Sequence, residues 1–414
     1  MIDSNNLKNC KTSKPNLPFE SKSTTHLSHV IKLDPTFKQI TYFNKGCGTA
    51  RFVWNWGLAN WDKQYQAGLK PSGLGLKKEF NAIKATEFPW TYEVTKYASQ
   101  QPFIYLQSAF QGFFEKRAEY PKFKKKGEKD SFYIGGDQLK VQEQQVKIPN
   151  LGWVRLKEPL RFEGKIRSAT ISCKAGHWFI SINVETSQKP AACKNQATVG
   201  VDLGITSLAT LSNGTSICGP RPLKKYLKQL KRLQRKVSGR VKGSKNRKKA
   251  QKALAKLHYK IGCTRNDSLH KLTTHLTSNF KNIIIEDLDV SDMLRNKKLS
   301  RHIMDMGWFE FRRQLSYKAE LRGNKVYIAN RWYASSKQCS SCGKQKDIHL
   351  SERTYSCTHC GLEINRDLNA SKCLEQLINT GSSPEINACG QNGSVTRLKT
   401  GLQPVWKKQE LSHV

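Results

Sequence analysis

At 414 residues the chain is long enough for two or three domains with real cores, and 71 Lys and Arg against 32 Asp and Glu leave a formal charge of +39. An excess of that size calls for an anionic partner, nucleic acid first, and is far beyond what a merely solubilising surface needs. The absence of any run of 18 apolar residues argues against a membrane partner, and an N-terminal segment of Ser, Thr, Asn and Lys without an apolar stretch leads us to expect a cytoplasmic, nucleoid-associated protein.

Residues 1–28 are polar and unpatterned and read as disordered. His29 to Leu33 is a strand candidate ended by Asp34-Pro35. Cys47, Ala50, Trp54, Leu58, Trp61 and Tyr65 then recur at helical spacing, and Phe103, Leu106, Phe110 and Phe113 do so again with an aromatic stripe suited to a core. The run R-A-E-Y-P-K-F-K-K-K at 117–126 follows; its Lys122, Lys124 and Lys125 suit either a phosphate backbone or a solvated loop. From Phe132 to Val184 the period shifts to two, with Trp178, Ile180, Ile182 and Val184 on one face beyond a turn at 174–177. Strand, helices and strands in this order predict a β-barrel or wedge over 29–195 with a helical bundle inserted at about 36–128. Residues 186–196 form a polar linker.

Ala197 to Gly214 reads as a hairpin whose first strand ends near Asp202, with a turn at Asn213-Gly214. Leu227, Leu230, Leu233, Val237 and Val241 predict one basic helix. Ala250, Leu254, Leu257 and Ile261 predict another across a Gly243-Ser244 break, and Leu269, Leu272 and Leu276 a third. The polar faces of the first two carry Lys224, Lys228, Lys231, Arg232, Arg235, Lys245, Arg247, Lys248 and Lys252. Such a helical hairpin suits nucleic-acid phosphates. Residues 282–288, N-I-I-I-E-D-L, form a buried strand ending at Glu286, with Asp287, Asp289 and Asp292 read as caps. A helix over 308–321 and a strand over 325–329 follow.

Of the 12 cysteines, Cys339, Cys342, Cys357 and Cys360 form two Cys-x-x-Cys-Gly pairs. Four thiolates close a tetrahedral structural zinc site and leave no position for water. Directly after them Asp367 opens a helix, where its bland role would be an N-cap. Asp202, Glu286 and Asp367 end two strands and open a helix of one α/β core, a hard oxygen set suited to Mg²⁺. Two such ions would activate water against a phosphodiester without a Ser, Tyr or Cys nucleophile.

V-G-V-D-L-G-I, I-I-I-E-D-L, S-S-K-Q-C-S-S-C-G, C-T-H-C-G and N-R-D-L-N-A-S, in this order, resemble the RuvC-like nuclease of the TnpB family, transposon-encoded relatives of type V CRISPR effectors. G-T-A-R-F-V-W-N-W, Y-P-K-F-K-K-K and G-W-F-E-F-R-R-Q-L extend the resemblance over about residues 29–378. It implies a wedge β-barrel with an inserted helical recognition bundle, then an RNase H-like RuvC domain (196–338 and 361–378) with an inserted zinc ribbon (339–360). It also implies Asp202, Glu286 and Asp367 as catalytic carboxylates for two Mg²⁺, the four cysteines as zinc ligands, and cleavage of double-stranded DNA guided by an RNA from the transposon end. The family often carries Asp where Asn365 stands, so the third acid is matched to Asp367. A monomer is expected, and residues 379–414 read as a disordered tail. An RNA-guided binder without cleavage and a guide-free nuclease or transposase are the competing readings.

Overall fold

The structure is a computed structural model that describes residues 24–378, apart from 189, 194 and 350, together with the two-residue strand Glu385–Ile386. The expectations for 1–23 and for nearly all of 379–414 lie outside the described residues. Residues 25–28, expected to be disordered, are the start of strand β1 (Thr25–Asp34). Leu27, His29, Ile31 and Leu33 point inward. His26, Ser28, Val30 and Lys32 alternate with them on the other face, and with a histidine inward and a valine outward the period of two is masked.

Thr36 and Gln39 form a reciprocal capping box that starts α1 (Phe37–Gln66). The first turns of α1 put Phe43 and Cys47 into the core of the sheet, and later turns put Val53, Trp54, Leu58 and Trp61 into a separate helical core. Tyr65, expected on the same stripe, is exposed in the last turn. Two further helices complete the bundle, α2 (Gly73–Glu87) and α3 (Lys96–Phe114), with the Trp61 and Phe110 rings stacked 4.0 Å apart. Helix α2 escaped the sequence reading because few apolar residues, chiefly Leu76 and Phe80, face inward.

Strands β2 (Ser131–Gly135), β3 (Lys140–Gln142), β4 (Gln145–Ile148), β5 (Gly152–Leu156), β6 (Lys165–Lys174) and β7 (His177–Thr186) join β1 in a seven-stranded sheet ordered β2-β6-β7-β1-β5-β4-β3. All its pairings are antiparallel. The β6–β7 turn falls at Ala175-Gly176, where both residues have positive φ (52° and 77°), as a two-residue hairpin of matching twist requires.

The second sheet is built from β8 (Thr198–Asp202), β9 (Ala209–Leu211), β10 (Ser216–Ile217), β11 (Asn282–Ile285) and β12 (Lys325–Ile328), with β8, β11 and β12 parallel and the strand Glu385–Ile386 antiparallel on the outer edge of β12. Between β10 and β11 lie α4 (Pro222–Ser238) and α5 (Lys245–Asn279). The second and third helices expected here are one 35-residue helix. Its apolar stripe serves two partners in turn: Ala250, Leu254, Leu257 and Ile261 pack on α4, while Leu269, Leu272 and Leu276 enter the core of the sheet. Val241, expected on the first basic helix, lies beyond its end and is exposed. Short helices α6 (Val290–Met293) and α7 (Ser300–Met306) lead to α8 (Trp308–Arg322), which covers the same sheet face as α5. The hairpin β13 (Thr354–Ser356) and β14 (Glu363–Asn365) then leads into α9 (Arg366–Gln376), which packs on the opposite face. Among the described residues no helix is long and apolar enough to cross a membrane.

Candidate acidic site, cysteine cluster and basic surface

Strand alternation decides where the acids point. Val199 and Val201 of β8, and Ile283 and Ile285 of β11, belong to the core under α5 and α8. Gly200 and Ile284 therefore face α9, and so do the next even positions, Asp202 and Glu286. The parallel register pairs Val201 with Ile285, which brings the two acids to the same edge of neighbouring strands. The third comes from close packing: a Cβ on Gly200 would stand 1.9 Å from the Ser371 carbonyl oxygen. Only glycine lets α9 lie that near, and Asp367 is one turn before Ser371. The structure thus brings together all three acids singled out in the sequence.

Their mutual influence is electrostatic. Burial raises the Asp202 pKa well above the usual carboxylate value, and Glu286 and Asp367 push it further. Glu286 is also raised, first by burial, with the Ser335 hydroxyl opposing and Asp367 adding to the rise. Arg366 stands 3.7 Å from Asp367 and partly offsets the clustered negative charge on Asp202.

Several residues to which the sequence assigns no role in the site hold this set. Ser335, buried, donates a 2.6 Å hydrogen bond to Glu286 Oε1. Asn365 caps α9 by accepting from the Asp367 and Leu368 backbone N–H groups, so Asp367 is not the cap and its carboxylate is released to face the other acids. Asn369, fully buried, accepts from Ser340 N and donates to the Gln338 carbonyl at 2.6 Å, tying α9 to the first cysteine knuckle. Of the three acids expected to be caps, only Asp289 caps a helix, accepting from Asp292 N. Asp287 instead pairs with Arg312 and Arg331, and Asp292 with Arg295. For Asp287 the partners lie 25 and 44 residues along the chain, which no spacing rule records, while Asp292 finds its partner within one turn.

Cys339, Cys342, Cys357 and Cys360 place their sulfurs within 4.8 Å of one another, with two pairs at 3.6 Å. Zn–S bonds of about 2.3 Å in a tetrahedron set S···S near ~3.8 Å, so the cluster fits one zinc ion. Each knuckle closes through a glycine at positive φ, Gly343 (73°) and Gly361 (74°), donating back to the Cys339 and Cys357 carbonyls. Tyr355 fills the small core beside them. Replacing Cys342 by Ala is expected to abolish zinc retention and unfold this segment. Metal analysis with proteolysis of residues 339–360 checks it; full zinc stoichiometry in the variant would count against a four-sulfur site.

The basic residues separate into free and engaged groups. Lys224, Lys228, Lys231, Arg232, Arg235, Lys245, Lys248 and Lys252 are exposed on the α4–α5 hairpin. Arg247 is turned inward, donating to the Val237 and Arg240 carbonyls at 3.1 and 2.9 Å, and so closes the end of α4. Lys252 lies against the β6–β7 turn at Gly176, next to contacts of Tyr259 with His177 and Phe179 that join α5 to the first sheet. The segment around 120–126 is pinned by Asn55, which bonds both backbone groups of Lys124. The Lys124 ammonium sits 3.9 Å from the centre of the Trp54 ring, and Lys122 pairs with Glu119. Of that segment's three predicted phosphate ligands, Lys125 carries no such engagement.

The architecture is a mixed α/β, multi-domain fold of the Cas12f type: a solved Cas12f1–sgRNA–target DNA complex aligns with a TM-score of 0.50 at 13% identity, covering 80% of this chain and 82% of that one. Residues 181–297 match the OrfB IS605 family, described as "Probable transposase", and residues 308–374 match the TNB domain of Cas12f1-like proteins. Residues 25–70 match a domain named helix-turn-helix, although here they form a strand and one 30-residue helix. The chain is 34% identical over 380 residues to InsQ of Escherichia coli (strain K12), covering 87% of this chain and 93% of that protein, whose name marks it as a candidate RNA-guided DNA endonuclease. A Streptomyces pristinaespiralis protein named in the same way is 34% identical over 82% of this chain and 86% of its own length. The chain belongs to the TnpB family of OrfB, IS605-type proteins.

Proposed function

We propose that this protein is an RNA-guided DNA endonuclease of a transposable element, cutting phosphodiester bonds at Asp202, Glu286 and Asp367. The observation that carries the reading is the convergence of these three acids on the α9 face at one strand edge. The names of the relatives and the match to the OrfB family support it. In this reading the antiparallel sheet is a wedge barrel with α1 to α3 as its inserted recognition bundle, the mixed sheet is an RNase H-like RuvC domain, and the cysteine hairpin is its zinc ribbon. It works in the cytoplasm at the nucleoid as a monomer carrying guide RNA and double-stranded target DNA.

Buried carboxylates held together in this way, with the Asp202 and Glu286 pKa values raised by burial and by neighbouring acids, fit divalent cations, whose charge relieves the repulsion. Asp202, Glu286 and Asp367 offer the hard oxygen donors that Mg²⁺ prefers and would hold such ions between them. Bound Mg²⁺ supplies water activation and stabilises the leaving oxygen. The rest falls to the chain. Ser335 fixes the orientation of Glu286, the Asn365 cap frees Asp367, and Gly200 holds α9 against β8. The exposed cations of α4 and α5 bind phosphates, while base pairing in the guide reads sequence. Sequencing the RNA that copurifies with the protein tests the proposal. A discrete RNA ending in sequence that flanks the element is expected; random cellular RNA would contradict it.

A further inference from the structure

Trp332 is 87% exposed, more than any other large hydrophobic side chain among the described residues. It stands on a loop held from both sides. The Trp332 N–H donates to Asn330 Oδ1 at 2.9 Å, and Arg331 reaches Asp287 Oδ2 at 3.0 Å and Asp289 at 3.3 Å. On the other side the Tyr333 hydroxyl donates to the Cys373 carbonyl at 3.2 Å, and Ser335 grips Glu286. One anchor ends on Asp287, the residue after Glu286, and the other on Glu286 itself, so the loop that displays this bare indole is tied to the acidic site on both sides.

We infer that Trp332 is a base-stacking platform that seats an unpaired nucleotide of the DNA strand entering the acidic site; this rests on the nuclease reading above. Charge at this point cannot serve instead, because the guanidinium of Arg331 is paired with Asp287 and Asp289, and that of Arg312 with Asp287. What the loop offers is a π face. A base exposes its own face only when it is unstacked, so the ligand is single-stranded DNA and not duplex. Indole–base stacking is strong and tolerant of sequence, as a guided enzyme with changing targets needs.

The test uses the protein with its copurified RNA. Trp332→Ala is expected to raise KM for a guide-matched single-stranded DNA by roughly 10-fold or more with a smaller change in kcat, and Trp332→Phe to retain most of the wild-type value. A single abasic site walked along the substrate should cost the wild type at one position near the cut and cost the Ala variant nothing further there. Because the side chain is exposed, Tm and zinc content should not move. Unchanged KM, additive abasic penalties, an equal loss in Trp332→Phe with lowered Tm, or weakened guide RNA retention in place of DNA binding would each overturn the proposal. Binding of fluorescent oligothymidine in Ca²⁺ decides it even if the wild type cuts nothing: weaker binding by Trp332→Ala upholds the platform while the nuclease reading fails, and equal binding overturns it.

Discussion

Asp202→Asn is expected to lower DNA cleavage on the order of 10³-fold or more, leaving guide RNA bound, and to raise the Tm of the metal-free protein at neutral pH. Both effects have one source. Burial and the Glu286 and Asp367 carboxylates raise the Asp202 pKa in the folded chain. A carboxyl group raised on folding contributes its stability below the unfolded pKa, near ~4, and loses it as pH rises through the folded value. At neutral pH, where the unfolded chain's carboxyl ionises freely, the folded chain's resistance to that ionisation is a standing cost, and Asn removes it at nearly constant shape. Calorimetry in chelator should show the wild type losing stability as pH rises above about 4, with a smaller loss in the variant. Added Mg²⁺ should restore the wild type more than Asp202→Asn. Equal cleavage by the two proteins would remove Asp202 from the reaction.

Gly200→Ala is expected to do comparable damage from a position that touches no substrate. The new methyl would lie 1.9 Å from the Ser371 oxygen and 2.6 Å from the Glu375 nitrogen, both backbone atoms that cannot rotate away. Helix α9 must then lift, carrying Asp367 off the strand edge and straining the Asn369 link to the cysteine knuckle. Overpacking of this kind costs about 1–3 kcal/mol or more, and a shift near ~1 Å at reacting groups costs about 100-fold in rate. Gly262→Ala is the matched control: it lies inside α5, its new Cβ would meet nothing within 4 Å, and it should stabilise the helix by roughly 0.5–1 kcal/mol. A Gly200→Ala protein as stable and active as the wild type would mean that α9 is not held in place by this contact.

The acids were legible because each sits at a break in an apolar pattern: Asp202 and Glu286 close buried strands, and Asp367 follows a metal-ligand motif. Their supports were not. Ser335, Asn369 and Gly200 matter through partners 49, 31 and 171 residues away along the chain, and no local period records such pairings. The two basic stripes of α4 and α5 read correctly as one hairpin face, yet Arg247 and Lys124 looked like their neighbours and are engaged by a helix end and an indole ring. Helix α5 was split in two because its apolar face changes partner along its length, which a pattern read window by window takes for a break. The same local view shortened β1, where His29 faces inward and Val30 outward.

Reprogramming tests the central claim most directly. The protein is assembled with its own RNA in which only the guide segment is replaced, and incubated with Mg²⁺ and two plasmids, one matching the original segment and one the replacement. Cleavage should move to the newly matched plasmid, stop after RNase treatment and vanish in Asp202→Asn. Cutting that ignores the exchanged segment, or persists without RNA, would contradict guidance outright.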